Sequence, residues 1–293
     1  MQDSRHLWQQ RKRENFGAEI TLEGSQRTIT MSFMKLYVRQ FGDASAPVVV
    51  ILHGLAGSSI DWISTAEALA ADYCVYTPDL RNHGKSPHSE NMNYDCLTQD
   101  LLEWAEDAGV TRFHLIGHSI GGKNAMHFAC KQPKYLKSLT IVDIAPKPYD
   151  PNRTAEFDAM AALEAQGVKD PDEADRLLKE DIPNKDMREY LLDSLACDES
   201  GDCHWVMNLP LLANRLRELR LNPLEADDCF TGPTLFIRGG KSAYTEDADI
   251  PTIKQHFPNA LIELFQNSNH FPHRVVLETF LASVKAFIEE NEP

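Results

Sequence analysis

Three residues whose chemistry becomes catalytic when they are brought together stand far apart in this chain: a serine between glycines, an aspartate closing an apolar run, and a histidine in a late polar loop. Gly117-His118-Ser119-Ile120-Gly121-Gly122 follows directly on the apolar run Phe113-His114-Leu115-Ile116. The pattern is a G-x-S-x-G elbow, in which a strand turns sharply into a helix and lifts the central hydroxyl, here that of Ser119, above the sheet edge. Glycines two residues either side, Gly117 and Gly121, let backbone approach where a Cβ would clash. The N-terminus of the following helix favours developing negative charge. Five residues also match by chance in an ordinary Gly-rich turn, and it is the strand before and the helix after that give this match its weight.

A serine hydroxyl is a poor nucleophile alone; it needs a base, an acid that orients the base, and donors for an oxyanion. With an elbow of this kind the acid and then the base follow the serine along the chain. His270 fits the base, in the loop Asn267-Ser268-Asn269-His270 directly after the last predicted core strand. His273 is the alternative and is expected to start the final helix, whereas His256 falls in a predicted helix and reads as a surface residue. His53, His83 and His118 precede or adjoin the serine and read as local hydrogen-bonding groups.

The acid is commonly found in the loop after the strand predicted from Thr234 to Ile237, yet that loop, Arg238 to Tyr244, carries Ser242 where an aspartate is expected. Asp247 and Asp249 come later and read as helix caps. The other place is Ile141-Val142-Asp143-Ile144-Ala145-Pro146. An aspartate between apolar residues at a strand terminus is costly unless paired, and a catalytic histidine would pair it. Asp143 is therefore assigned the acid role, a carboxylate capping nearby backbone being the bland alternative. Oxyanion donors are expected from the amides of Ile120, next to the serine, and of Leu55, in His53-Gly54-Leu55-Ala56-Gly57 just beyond the strand from Val48 to Leu52.

The elements that must position these groups repeat a simple rhythm. Val48-Val49-Val50-Ile51-Leu52, between Pro47 and Gly54, reads as a strand buried on both faces. Tyr73 to Tyr76, Phe113 to Ile116, Leu139 to Val142, Thr234 to Ile237 and Leu261 to Leu264 repeat it, and helical patterns fit Trp62 to Ala70, Asn93 to Ala108, Gly122 to Lys131 and Val275 to Glu289. Alternating strands and helices predict an α/β fold with a mostly parallel, doubly wound central sheet. Ala18 to Leu22 and Lys35 to Phe41 are expected to precede it as an antiparallel pair.

Between Pro146 and Phe230 the rhythm breaks. Ala155 to Gln166 and Ala174 to Glu180 are helical, and no core strand is evident. The expected organisation is a polar tail over 1–17, a core over 18–145 and 231–293, and an inserted helical cap over 146–230, placed above the sheet edge where ligands bind in this architecture. Its apolar segment Trp205 to Leu212 offers Trp205, Met207 and Leu209 as an acyl-pocket wall; packing of the cap on itself reads equally well. Arg81 and His83, in Asp79 to Ser86, read as a buried network that fixes their loop.

With 29 Lys and Arg against 44 Asp and Glu, the net charge is −15, and 146–230 holds 10 basic against 20 acidic residues, so −10 of it lies there. Such a surface repels nucleic-acid phosphate and anionic membranes, neither of which is expected as a partner. No run approaches a membrane-spanning length. The six cysteines show no paired zinc spacing, and Cys197 with Cys203-His204 is a single cluster, so no metal site is expected and a reduced, cytoplasmic chain is the default. Arg5, Arg11, Lys12 and Arg13 have the charge of a mitochondrial presequence, but Asp3 and Glu14 favour a plain polar tail.

From about Leu36 to Ile288 the chain resembles the α/β-hydrolases, and more closely the YbfF-type bacterial esterases and their mitochondrial abhydrolase-domain relatives. The resemblance is carried by His53 to Ser58, Asp79-Leu80-Arg81-Asn82-His83-Gly84-Lys85-Ser86, Gly117 to Lys123, Val142 to Pro146 and Gly232 to Phe236. It implies hydrolysis of carboxylic esters without a cofactor, with acyl thioesters as a further class. It also implies an acid after the strand that follows the nucleophile helix, which favours Asp143 over Asp247. Two features depart from the pattern: Phe271 after His270, where a tryptophan often stands, and the acidic stretch Asp193 to Asp202. The expected substrate is a neutral, short-to-medium acyl ester, because the acidic insertion disfavours polyanionic coenzyme A thioesters. Perhydrolysis, C–C bond hydrolysis and a slow-turnover ligand receptor are the rivals on the same residues, and the oligomeric state is not legible.

Overall fold

Val49 and Ile51 face one side of strand β2 (Val48–Leu52) and Val50 and Leu52 the other, and all four are fully buried. A strand with two buried faces needs helices on both sides, and that is how the chain is built. The computed structural model describes residues 34–152 and 154–292. Its central sheet has seven strands: β1 (Val38–Phe41), β2, β3 (Cys74–Pro78), β4 (Phe113–His118), β5 (Leu136–Val142), β8 (Thr234–Gly239) and β9 (Ala260–Phe265). Their spatial order is β1-β3-β2-β4-β5-β8-β9, and every neighbouring pair is parallel except β1 on β3. Consecutive strands β2 and β3 grow the sheet one way and β4 onward the other, so the order reverses at β2, where α/β sheets open a crevice at the carboxyl ends of their strands.

On one face, α1 (Ile63–Leu69) and α10 (Leu277–Glu290) bring Leu69, Phe280, Val284 and Ile288 against Val49 and Ile51. On the other, α2 (Tyr94–Asp107) and α3 (Ile120–Lys131) bring Leu97, Leu101, Met126 and Phe128 against Val50, Leu52 and Leu115. Asn93 caps α2, its side chain accepting from Cys96 N. The predicted core elements are all present, each within a few residues of its expected ends.

Between β5 and β8 the chain makes α4 (Ala155–Gln166), α5 (Pro171–Leu178), α6 (Lys185–Leu192), the hairpin β6 (Leu195–Cys197)–β7 (Cys203–Trp205), and α7 (Leu209–Leu219). The helices α5, α6 and α7 each start on a side-chain cap, from Asp170, Asn184 and Asn208. The sequence reading resolved α4 and α5 but not α6, α7 or the hairpin. Two further helices flank the last strand, α8 (Ile250–His256) before it and the short α9 (Pro272–Val275) after it.

Three expectations change. Lys35 to Phe41 contributes only Val38–Phe41 as strand, and it pairs with β3 at the sheet edge, Val38 opposite Pro78 and Phe41 opposite Val75. Ala18 to Leu22, the partner expected for it, lies outside the described residues, as does the 1–17 tail. Cys197 and Cys203 are not reduced: the antiparallel hairpin sets them opposite one another and they form a disulfide, while Cys74, Cys96, Cys130 and Cys229 are free. His256 is buried rather than superficial, since its Nδ1 bonds the Asp228 carbonyl at 2.7 Å.

Candidate active site

Parallel strands in register deliver their ends side by side, and here that places Ser119 next to Asp143. His118 pairs with Val142, so the two residues leave the adjacent strands β4 and β5 at the same level. The Ser119 amide donates to Val142 O at 3.2 Å, and the Asp143 amide donates to Ile237 O, on β8, at 2.8 Å. Both residues take positive φ, 53° for Ser119 and 48° for Asp143. This strained geometry is that of an elbow, and for an L-residue other than Asn or Asp it persists only where the surroundings enforce it. The surroundings do. A Cβ on Gly117 would stand 2.4 Å from Gly121 O, and one on Gly121 would stand 2.4 Å from His53 O. Only glycine lets β4, the start of α3 and the end of β2 approach this closely.

The Asp143 carboxylate is buried and saturated with donors. Gly239 N donates to Oδ1 at 2.9 Å, while Oδ2 accepts from His270 Nδ1 at 2.7 Å and from the Ser242 hydroxyl. Ser242 thus occupies the loop where an acid was expected and donates to the Asp143 carboxylate. With its proton on Nδ1, His270 keeps Nε2 as an acceptor. The imidazole lies flat on Tyr244, ring centroids 3.8 Å apart, and its backbone carbonyl accepts from His118 Nε2 at 2.8 Å. His118 is neutral, since burial pushes its pKa well below the ordinary value, with His270 and His273 adding to the shift. His273, the alternative base, is buried elsewhere: its ring stacks on Trp62 at 4.0 Å. Asp247 pairs with Arg238 at 2.8 Å; Asp249 stands at the N-cap position of α8 without a side-chain bond to that helix, its carboxylate accepting instead from Glu246 N and Lys147.

The loop after β2 is organised around one amide. The Gly54 carbonyl accepts from His53 Nδ1 and Gly57 N. The Leu55 carbonyl accepts from Tyr190, the Ala56 amide donates to His83 Nε2, and the Ala56 carbonyl accepts from Ser194. Among the described residues the Leu55 N–H has no such partner, and the Ile120 N–H, at the first position of α3, has none inside its helix. His83 can accept because burial pushes its pKa down to about 3, so the ring stays neutral with its proton on the nitrogen facing Arg81 O. Arg81 itself forms a two-pronged pair with Asp100, both contacts 2.6 Å. The Asp79-to-Ser86 loop is thus the buried network that its sequence implied.

Ser119, His270, Leu55 and Ile120 line one cavity of about 240 Å³, closed on the far side by Phe157, Met187, Tyr190, Leu191 and Leu219. A match to the family described as the alpha/beta hydrolase fold spans residues 47–274. The chain belongs to that family. The hydrolase is 34% identical over 255 residues to the mouse sn-1-specific diacylglycerol lipase ABHD11, covering 84% of this chain and 82% of that one. It is 27% identical over 262 residues to esterase YbfF of Escherichia coli, covering 88% and 100%. Among solved structures it is similar to a marine microorganism esterase, with a TM-score of 0.81, 32% identity and coverage of 87% and 99%. The resemblance drawn from the sequence motifs is borne out.

The cap residues expected to face the serine do not. Trp205, Met207 and Leu209 are buried but stand outside the lining of the hydrolase's cavity. The Trp205 indole donates to Met160 O at 3.0 Å, and Met207 bridges the backbone of His83. A buried indole N–H needs an acceptor, and α4 supplies it, so this segment packs the insertion on itself and on the core. The wall comes instead from α4, α6 and the end of α7. The residues missed were Tyr190, Ser194 and Ser242, polar groups whose partners are backbone atoms or carboxylates far away in sequence.

Proposed function

We propose that this hydrolase cleaves neutral carboxylic esters of short-to-medium acyl length through a Ser119 acyl-enzyme, with His270 as base and Asp143 as its orienting acid. The observation that carries the reading is the 2.7 Å bond from His270 Nδ1 to the buried Asp143 carboxylate, with His270 and Ser119 lining the same cavity. In the first step the Ser119 Oγ–carbonyl bond forms, the hydroxyl proton passes to His270 Nε2, and the carbonyl π pair moves onto oxygen. The Leu55 and Ile120 amides would hold that oxyanion. Collapse expels the alcohol, which takes the proton from His270, and water repeats the sequence to release the acid.

The cavity supports the acyl-length limit: about 240 Å³, mostly apolar, falls below the roughly 300–1,000 Å³ of sites for drug-sized ligands. The excess of acid in the insertion opposes polyanionic thioesters at long range. A second reading, hydrolysis of one ester of a diacylglycerol, is favoured by the name of the 34%-identical mouse relative. Hydrolysis of p-nitrophenyl esters of increasing chain length and of a diacylglycerol, by wild type and Ser119→Ala together, separates these. Ser119→Ala should lose on the order of 10⁴-fold or more in kcat. Activity retained in that variant overturns the mechanism, and a preference for the diacylglycerol over every short ester moves the substrate to the second reading.

A further inference from the structure

The helix α6 turns one polar stripe toward the catalytic loops. Asp186, Tyr190, Asp193 and Ser194 follow the spacing i, i+4, i+7 and i+8, which keeps them on a single helical face continued into its C-terminal turn. Each touches a different part of the site. Asp186 accepts from Asn269, the residue before His270. The Tyr190 hydroxyl donates to Leu55 O at 3.0 Å, and the Ser194 hydroxyl donates to Ala56 O at 2.8 Å. Asp193 pairs with Arg274 at 2.9 Å.

The consequence follows from peptide planarity, which makes each carbonyl and the next N–H one rigid unit. The unit Gly54–Leu55 carries the Leu55 N–H. The unit after it is held at its carbonyl by Tyr190 and at its N–H by His83, and the next at its carbonyl by Ser194 and at its N–H by Gly54 O. Ala56 sits between those two units at φ 65°, a conformation that an alanine does not hold unaided. Without the two hydroxyls, both carbonyls lose their buried donors and the loop is free to relax toward negative φ, turning the neighbouring unit with it.

We propose that Tyr190 and Ser194 are positioning residues of the oxyanion site: they fix the Leu55 amide from the insertion, so that the site is complete only when α6 is seated. The proposal rests on the serine-hydrolase reading. It predicts that the two hydroxyls act on the transition state and not on ground-state binding, because neither alters the apolar wall.

The test measures kcat and KM for p-nitrophenyl butyrate, and the affinity of an alkyl trifluoromethyl ketone, in Tyr190→Phe, Ser194→Ala, their combination and Ser194→Thr. The ketone adds the Ser119 oxygen to its carbonyl carbon, with the proton going to His270 and the electron pair to an oxyanion that must occupy the same site. Each single variant should lower kcat by about tenfold and the pair by about a hundredfold, the scale of small misplacements of catalytic groups. KM should hold within about twofold, and ketone affinity should fall in step with kcat/KM. Ser194→Thr, which keeps the hydroxyl, should restore both, and Lys185→Ala, on the exposed face of α6, should change neither. If Tyr190→Phe fails to fold, the Ser194→Ala and Ser194→Thr pair decides the matter alone. Losses confined to KM, or a double variant with undiminished ketone affinity, overturn the proposal. A wild type that forms no adduct with the ketone overturns the serine-hydrolase reading itself, and the proposal with it.

Discussion

The two walls of the cavity are made in opposite ways. On the sheet side, three buried carboxylates are enclosed by donors: Asp143 accepts from Gly239, Ser242 and His270, Asp79 from Ser59 and Lys85, and Asp100 meets Arg81 twice. On the insertion side the apolar Phe157, Met187, Leu191 and Leu219 line the cavity beside the polar Tyr190, Asp150, Glu156 and Arg220, while acids such as Asp158, Glu164, Asp172 and Asp181 face water. A buried carboxylate without donors costs several kcal/mol, so the sheet side can keep its acids only by fixing them in place. Fixed charge is what a proton relay needs. The apolar side chains of the insertion wall make no such bonds, and they can change size without disturbing the chemistry. The contrast teaches a division of labour: substitutions on the sheet side should act on kcat, and those on the apolar wall should act on which acyl chain is preferred.

The largest effect is expected where the division is sharpest. Asp143→Asn keeps the shape of the acid but removes its charge and its preference for the Nδ1–H tautomer of His270, and should cost on the order of 10⁴-fold in kcat. Ser242→Ala removes one donor from a carboxylate that keeps two others, a loss of about 1.5–3 kcal/mol for a hydrogen bond to a charged group, or roughly tenfold to a hundredfold. Steady-state kinetics on p-nitrophenyl butyrate reads both. Equal losses in the two variants would mean that Ser242, and not the carboxylate, orients the base.

A middle-sized effect belongs to the other wall. Met187 is half-buried and lines the cavity, and Met187→Ala removes apolar volume there without touching a hydrogen bond to the catalytic loops. The preferred acyl chain should lengthen, with kcat/KM rising severalfold for chains one or two carbons longer, since each methylene in such a pocket is worth about 1–3 kcal/mol. A chain-length series that moves in kcat for every ester alike would break the division.

The same contrast decides what could be read from the sequence. Val48 to Leu52 announced a two-faced strand because burial on both sides demands an unbroken apolar run, and Gly117 to Gly121 announced the elbow because only that spacing lets three backbones meet. Asp143 was legible since an acid amid apolar residues needs a partner. Ser242 was noticed only as a missing aspartate; its role depends on where Asp143 lies, 99 residues away. Tyr190 and Ser194 were not legible at all, because their partners are backbone carbonyls 135 and 138 residues back, and a carbonyl leaves no mark in a sequence. Trp205 misled because an apolar segment says that a face is buried and not which surface covers it.

The smallest effect tests a buried charge on the core side that reaches across to the insertion. Lys123, one turn beyond Ser119 on α3, donates to Arg220 O and Leu221 O at the end of α7, and its ammonium lies 4.7 Å from the centre of the Tyr149 ring. Its bonds satisfy the last carbonyls of a helix, which favours a cation there. Burial nevertheless pulls its pKa down from 10.5 to about 7, with Arg220 adding to the shift. Between those values the unfolded chain holds a proton that the folded one has released, so stability rises with pH across the interval. The cost of the buried charge is fully present below pH 7 and gone above about 10.5. In Lys123→Met that dependence is absent. The melting temperature of the wild type should therefore gain on that of Lys123→Met by roughly 6–12 °C from pH 7 to 9.5, about 3 kcal/mol at about 2–4 °C for each in a chain of this size. Parallel curves would mean that Lys123 stays charged across the range, its three donors repaid by the α7 carbonyls and the Tyr149 face, and that the core side encloses this charge as it does those of Asp143, Asp79 and Asp100.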